Sequence, residues 1–277
     1  KVEGRIRGRT DNDDLRFRIS LPRRGPLDAR IQGRTDLKTL SDSGLLVNYR
    51  MSGQVVADLT VTGSAAAPQA QGTLEIKDGR FVNSLSGLDL RSVNVQLRGE
   101  GRRIVIARAE ATDGGSGTLK ATGHVTLDAG RGNPFDVTVT ADRLRALRRD
   151  DIRATISGRV QVAGGQGTVK ASGTITVNEG EIAIPERLPT SITVLDVIEV
   201  NTPPELKRKK KKRTATVAPK IALDLRINVP RRLFVRGRGV FAEVQGNLRI
   251  VGTADNPNIR GILRTVRGHL DLLGKRF

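Results

Sequence analysis

The sequence contains no Cys and no Trp, one Met, and only six Phe and one Tyr among its 277 residues. Without Cys there is no disulfide and no thiolate metal site. A compact globular core of this length usually contains more large rings, because each of them buries a large apolar area. The apolar residues are instead mainly Val, Ile, Leu and Ala, spread evenly along the chain, which favours many short strands over one thick core.

Long hydrophobic runs are missing as well. No stretch approaches the roughly 20 apolar residues that a transmembrane helix needs. The first residues, KVEGRIRG, do not have the pattern of a signal peptide and read as the middle of a strand. We therefore expect a piece of a longer protein.

Residues for catalysis or cofactor binding do not form a known pattern. There is no complete G-x-G-x-x-G, no Walker lysine and no G-x-S-x-G nucleophile elbow. The two histidines, His124 and His269, lie far apart in the sequence, each on the polar side of a strand pattern. The sequence therefore predicts a protein that is not an enzyme, with no catalytic residue, no metal site and no cofactor.

Positive charge is in large excess. The net charge is +19, and seven of the basic residues form the run KRKKKKR at Lys207–Arg213. Such a surface favours anionic partners: nucleic acid, acidic lipid headgroups or acidic proteins. Sites for single-stranded nucleic acid pair basic grooves with stacking aromatic rings, and no strand here alternates the two. We predict no nucleic-acid partner and interpret the run as a solvated loop, with polyanion binding as the alternative.

Alternation of apolar and polar residues is the dominant pattern. In TLKATGHVTL (118–127) and TVKASGTITV (168–177), apolar side chains occupy one face and polar ones the other, as in strands with one buried face. Such strands recur roughly every 10 to 12 residues, which is the spacing of an antiparallel all-β protein. Only the segments 144–151 and 191–200 have weak helical patterns.

Internal repeats extend this pattern. GSAAAPQAQGTLEIKDGRF (from Gly63) and GTADNPNIRGILRTVRGHL (from Gly252) match at three glycines and a proline, each 189 residues apart. The unit reads as strand, turn, strand, and its last glycine, in Asp78-Gly79 and Arg267-Gly268, predicts a hairpin turn, as does Glu179-Gly180. The composition changes at 201–219, which predicts three parts: a repetitive segment (1–200), a basic Pro/Lys-rich loop (201–219) and a C-terminal segment (220–277).

A sheet with one apolar face has to cover that face. It can pack against a second sheet as a sandwich, close into a barrel, or curl into a groove that holds an apolar ligand. The alternation alone leaves these three folds open.

Several segments resemble a known family. GLDLRSVNVQL, ATDGGSGTLKATG, NEGEIAIPERLP and PRRLFVRGRGVFAEVQGNLRIVGTADNPNIRG are similar to the C-terminal region of the TamB family, the inner-membrane subunits of the translocation and assembly module, which are related to AsmA-like proteins. The resemblance runs from about Val55 to Phe277 and is strongest from Val229 onwards.

This resemblance implies an extended, curled antiparallel sheet that forms an open, taco-shaped groove. It implies a periplasmic protein, tethered to the inner membrane by an anchor absent from this chain, with an outer-membrane β-barrel partner of the TamA type. The implied function is to conduct phospholipid between the two membranes and to support outer-membrane protein assembly and envelope integrity. The alternative is a scaffold that transports no lipid and binds partner strands at its sheet edges.

Under the groove hypothesis, phospholipid acyl chains contact the apolar residues of the alternating strands. The predicted lining consists of Val93, Val95, Leu97, Leu119, Ala121, Val125, Leu127, Val137, Val139, Val169, Ile175, Val177, Leu223, Leu225 and Ile227.

Overall fold

Fifteen strands form one sheet in the computed structural model, which describes residues 2–7, 14–20, 27–38, 48–64, 66–185, 220–272 and 275–276. The strands are β1 (Val2–Arg7), β2 (Asp14–Ser20), β3 (Leu27–Asp36), β4 (Tyr49–Gly63), β5 (Pro68–Asn83), β6 (Leu88–Gly101), β7 (Arg103–Thr112), β8 (Thr118–Thr126), β9 (Phe135–Arg148), β10 (Ile152–Gly165), β11 (Thr168–Ala183), β12 (Lys220–Gly237), β13 (Val240–Thr253), β14 (Asn256–Leu272) and β15 (Lys275–Arg276). A single 3₁₀ turn, Ala129–Arg131, interrupts the described strands.

The strands are arranged in the order in which they occur in the chain. Each strand pairs with the next one, and β1 and β15 lie at opposite edges of the sheet, which is not closed. Strands that are not neighbours in the sheet hardly touch in the described part of the chain. The predicted open all-β sheet is therefore confirmed, and the sandwich and closed-barrel alternatives are wrong.

One pair departs from the predicted antiparallel arrangement. β11 and β12 are parallel, with Thr168 opposite Lys220 and Ile175 opposite Ile227. The two chain ends that flank this pair, Ala183 and Lys220, therefore lie at opposite ends of the strands. The basic loop 201–219 and the weak helical pattern at 191–200 lie outside the described residues, so the division into three parts stays a prediction.

The internal repeats correspond to strand pairs, but their last glycines do not lie in turns. Gly63 pairs with Pro68 across the β4–β5 hairpin, and Gly252 pairs with Pro257 across the β13–β14 hairpin. The predicted hairpin turns at Asp78-Gly79, Glu179-Gly180 and Arg267-Gly268 are wrong.

Those three dipeptides lie within β5, β11 and β14, next to irregularities in strand pairing. Asp78 has a positive φ of 47°, and it adopts this conformation in a β-bulge. A bulge and a tight turn require the same local backbone, so the dipeptide alone does not separate them.

The weak helical pattern at 144–151 does not form a helix. β9 continues to Arg148, and β10 begins at Ile152 after a short turn. Pairing with β10 satisfies the backbone of this segment, and this tertiary contact outweighs its helix propensity.

Six of the nine buried apolar side chains in the described residues occur in two small clusters, and the other three are Val55, Ala57 and Ala70. Leu90, Ala111 and Leu144 form one cluster, and Val229, Leu233 and Val244 form the other. Most other apolar residues are only half-buried, as expected for a single layer of sheet.

Candidate functional site: the apolar face of the sheet

Strand register assembles one continuous apolar face. Directly opposite residues in neighbouring strands share a face of the sheet, so each row of partners can be followed from strand to strand. One such row crosses seven strands, from β8 to β14: Ala121, Val139, Val160, Gly173, Leu225, Ile250 and Ile259. The parallel pair does not interrupt this row.

The neighbouring row is polar and belongs to the other face. It crosses β8 to β12 through Thr122, Thr138, Gln161, Ser172 and Asp224. Because adjacent residues in a strand point to opposite faces, the two rows show that the apolar and polar sides of the sheet are separate over these strands.

The fifteen predicted lining residues all belong to the alternating strands. Fourteen lie in β6, β8, β9, β11 and β12, and Leu127 follows directly after β8, where its N–H donates to the Arg102 carbonyl at 2.8 Å. All fifteen are half-buried, and none is fully buried or fully exposed. The register brings them together, for example by placing Ile175 opposite Ile227 and Ala121 opposite Val139.

The apolar face extends beyond the predicted lining. The register adds further residues on β4, β5, β7, β10 and β13, which are Val55, Ala57, Leu74, Ile76, Ile104, Ile106, Val160, Val162, Leu248 and Ile250. The same alternation marks them in the sequence, but their membership of one face depends on which residues are partners across strands.

The sheet curls most visibly around the β7–β8 hairpin. β7 and β8 are short, and the strands on either side of them, β6 and β9, come together beyond the hairpin. There the Arg148 N–H donates to the Ser86 carbonyl at 2.9 Å. Leu90 and Leu144 are buried at this contact, so the apolar face is covered locally and open over much of the remaining described sheet.

Glycines allow neighbouring strands to approach closely. Gly72 and Gly261, which match in the internal repeat, both have positive φ, 103° and 141°. A Cβ atom at either position would collide with a backbone carbonyl on the neighbouring strand, that of Asp58 or of Asn247. Such glycines permit the bends that a curled sheet needs.

Asp113 fixes the tip of the β7–β8 hairpin. Its side chain is 3% exposed, and Oδ1 accepts hydrogen bonds from the N–H groups of Gly115 and Gly117 at 2.8 and 3.1 Å. Oδ2 accepts from the backbone N–H and the guanidinium of Arg145 on β9, at 3.1 and 2.9 Å. The Arg145 guanidinium is the main reason that the pKa of Asp113 lies well below its usual range, despite the opposing effect of burial.

Glu243 has a similar role between β12, β13 and β14. It accepts a hydrogen bond from the backbone N–H of Arg232, at 3.0 Å, and from the guanidinium of Arg267, at 2.7 Å. Arg232 has a positive φ of 63° in the irregular part of β12. The Arg232 N–H first, and Arg267 second, lower the pKa of Glu243.

The family comparison matches residues 107–277 to the TamB C-terminal domain. The chain belongs to this family. The match covers more than half of the sequence and confirms the predicted resemblance there, while the part of the resemblance from Val55 to Ile106 lies outside the matched residues. Neither the curated proteins nor the solved structures contain a match.

The described part of this TamB-family chain contains neither a candidate metal site nor a candidate transmembrane helix. No group of three His, Cys, Asp or Glu side chains there is placed to hold a metal ion. No helix among the described residues has the length and apolar character to cross a membrane.

Proposed function

We propose that the apolar face is a groove that holds phospholipid acyl chains and conducts them between the inner and outer membranes. In this proposal the protein acts in the periplasm, held to the inner membrane by an anchor outside this chain, with a β-barrel partner of the TamA type. Membership of the TamB C-terminal domain family supports a role in outer-membrane protein assembly or lipid transport.

The continuous apolar row from β8 to β14 carries this proposal. Soluble monomers rarely expose a contiguous apolar patch larger than a few hundred Å². A single sheet layer leaves its apolar face half-buried in the described residues, so a ligand that covers it gains hydrophobic free energy. Each CH₂ group of an acyl chain contributes about 0.8 kcal/mol on burial.

A photo-crosslinker placed at neighbouring residues tests the groove. Ile175 is opposite Gly158 and Ile227 on the apolar face, whereas Thr174 is opposite Arg159 and Arg226 on the polar face. A crosslinker at Ile175 should capture phospholipid in cells and one at Thr174 should not. Equal capture at both positions would show that the lipid does not distinguish the faces.

The last long strand supports a second candidate function, the binding of partner strands at the sheet edge. β14 pairs with β13 along most of its length, but on its other side with β15 at only two positions in the described part. Ile259 and Ile262 in this strand are 60% and 66% exposed. A long strand with a free edge is a template for another strand.

A further inference from the structure

A pocket of ≈ 530 Å³ lies at the ends of β9, β10 and β11. It is lined by five arginines and three carboxylates, together with five uncharged residues. Its lining also includes Leu147, Ala154 and Gly180, which are in register with one another and with Leu233 of the buried apolar cluster. Arg148 and Arg153 are adjacent to this row in their strands, so they lie on the opposite, polar face. Both are next to the turn that joins β9 to β10, which places the pocket at the rim of the sheet.

Most of the charged groups in this pocket already have partners. Arg145 pairs with Asp113 at 2.9 Å and Arg149 with Asp151 at 2.8 Å. Arg236 pairs with Glu181 at 3.4 Å, and Arg232 reaches Glu179 at 3.1 Å. These four contacts fix the surrounding side chains. They include two of the three lining carboxylates, Glu179 and Glu181.

Two arginines are left without an ion pair. Arg148 and Arg153 form none within the described residues, and Asp150 is the only lining carboxylate without one there. Arg148 and Arg153 are also directly opposite each other in the β9–β10 pair. Like charges at opposite positions destabilise a sheet, so an anion that bridges the two guanidiniums relieves a repulsion.

We propose that Arg148 and Arg153 bind the phosphate group of a phospholipid whose acyl chains lie on the adjoining apolar face. Guanidinium groups bind phosphate through paired, charge-assisted hydrogen bonds. The site rests on the proposed lipid groove and adds to it a place where the headgroup is recognised. With its acyl chains on the apolar face, the lipid places its headgroup past the β9–β10 turn, where this arginine pair lies on the polar side of the rim.

The test compares two lipids with the same short acyl chains, phosphatidylglycerol and diacylglycerol, the second of which has no phosphate. Binding of each to the whole chain is measured by native mass spectrometry. The variants are R148Q/R153Q and, as a charge-matched control, R159Q/R226Q. Arg159 and Arg226 are exposed, lie on the polar face and form no ion pair in the described part of the chain.

The parent chain should bind phosphatidylglycerol about fivefold more tightly than diacylglycerol, as expected for two exposed charge-assisted contacts. R148Q/R153Q should lose this preference and still bind diacylglycerol as the parent does, while R159Q/R226Q should keep the preference. Retention of the preference in R148Q/R153Q, or its equal loss in the control, would overturn the site and leave the groove intact.

Titration with inorganic phosphate distinguishes a site for free phosphate from a site for the phosphate of a lipid headgroup. If R148Q/R153Q loses binding of inorganic phosphate but keeps the preference for phosphatidylglycerol, the pair binds free phosphate and the headgroup proposal is wrong. If the parent binds neither lipid, the proposed function fails, and the headgroup site fails with it.

Discussion

At the scale of single residues, two carboxylates hold irregular pieces of backbone in place. Asp113 accepts four hydrogen bonds at the tip of the β7–β8 hairpin, and Glu243 accepts from the unusual backbone of Arg232. Both are nearly buried, and a buried carboxylate is stable only with such partners. Each of them therefore stabilises an irregular part of the backbone.

Replacement of Asp113 should therefore destabilise the hairpin. In D113A the N–H groups of Gly115 and Gly117 lose their acceptor and Arg145 loses its ion pair, which should cost about 2–4 kcal/mol. Urea unfolding measures this cost, and hydrogen exchange at the two glycine amides localises it. D151A is the control, because the Asp151–Arg149 pair is half-exposed and should contribute little to stability.

The effect of D113A should also depend on pH. The pKa of Asp113 is lowered in the folded protein, so its contribution to stability is complete above the ordinary pKa of about 4 and is lost as the pH falls towards the folded value. The difference in unfolding free energy between parent and D113A should therefore narrow below about pH 4. A difference that is constant down to pH 2 would contradict this role.

At the scale of strands, the sequence predicts the positions of strands and their apolar sides better than it predicts how the strands pair. The alternation in TLKATGHVTL and TVKASGTITV identifies β8 and β11 and their apolar sides, because side-chain direction alternates with a period of two. The bulge at Asp78-Gly79 and the parallel pairing of β11 with β12 could not be predicted. Both depend on which strand lies alongside, and that information is not local.

The edge of β14 that is largely unpaired in the described part of the chain gives a prediction at this scale. In I262K an exposed apolar side chain that is opposite Asn247, and so lies outside the apolar row, becomes charged. Lysine on an edge strand discourages pairing with another strand. If β14 binds partner strands, co-purification of a TamA-type barrel should decrease severalfold, while phospholipid crosslinking at Ile175 is unchanged. Unchanged barrel binding would rule out this edge as the docking site.

At the scale of the whole molecule, apolar residues are opposite one another on the same face in every strand pair from β8 to β14. This holds although the β11–β12 pair is parallel and the other pairs are antiparallel. Ala171 is opposite Leu223 and Gly173 is opposite Leu225, so the parallel pair continues the apolar face. From the sequence, the fifteen lining residues could be assigned to apolar sides of separate strands. That these residues form one surface could be seen only from the pairing register of the strands.

Placing an arginine on one face or the other should distinguish an open lipid groove from a closed core. In V139R the guanidinium projects from the middle of the apolar row and should reduce co-purified phospholipid severalfold, while the fold persists because no second layer covers this face in the described residues. T138R puts the same charge on the polar face and should leave the lipid unchanged. Lipid mass spectrometry and circular dichroism measure the two effects, and unfolding of V139R alone would indicate a closed core.

The parallel β11–β12 pair also has a consequence for how the chain folds. The antiparallel pairs on either side are joined by short connections and close at little entropic cost, whereas β12 reaches β11 only across the long connection from Ala183 to Lys220. Loop-closure entropy makes this step about 2 kcal/mol more costly than closing a hairpin. Two strand arrays, β1–β11 and β12–β15, should therefore form first, and their docking should be the slow step that completes the sheet.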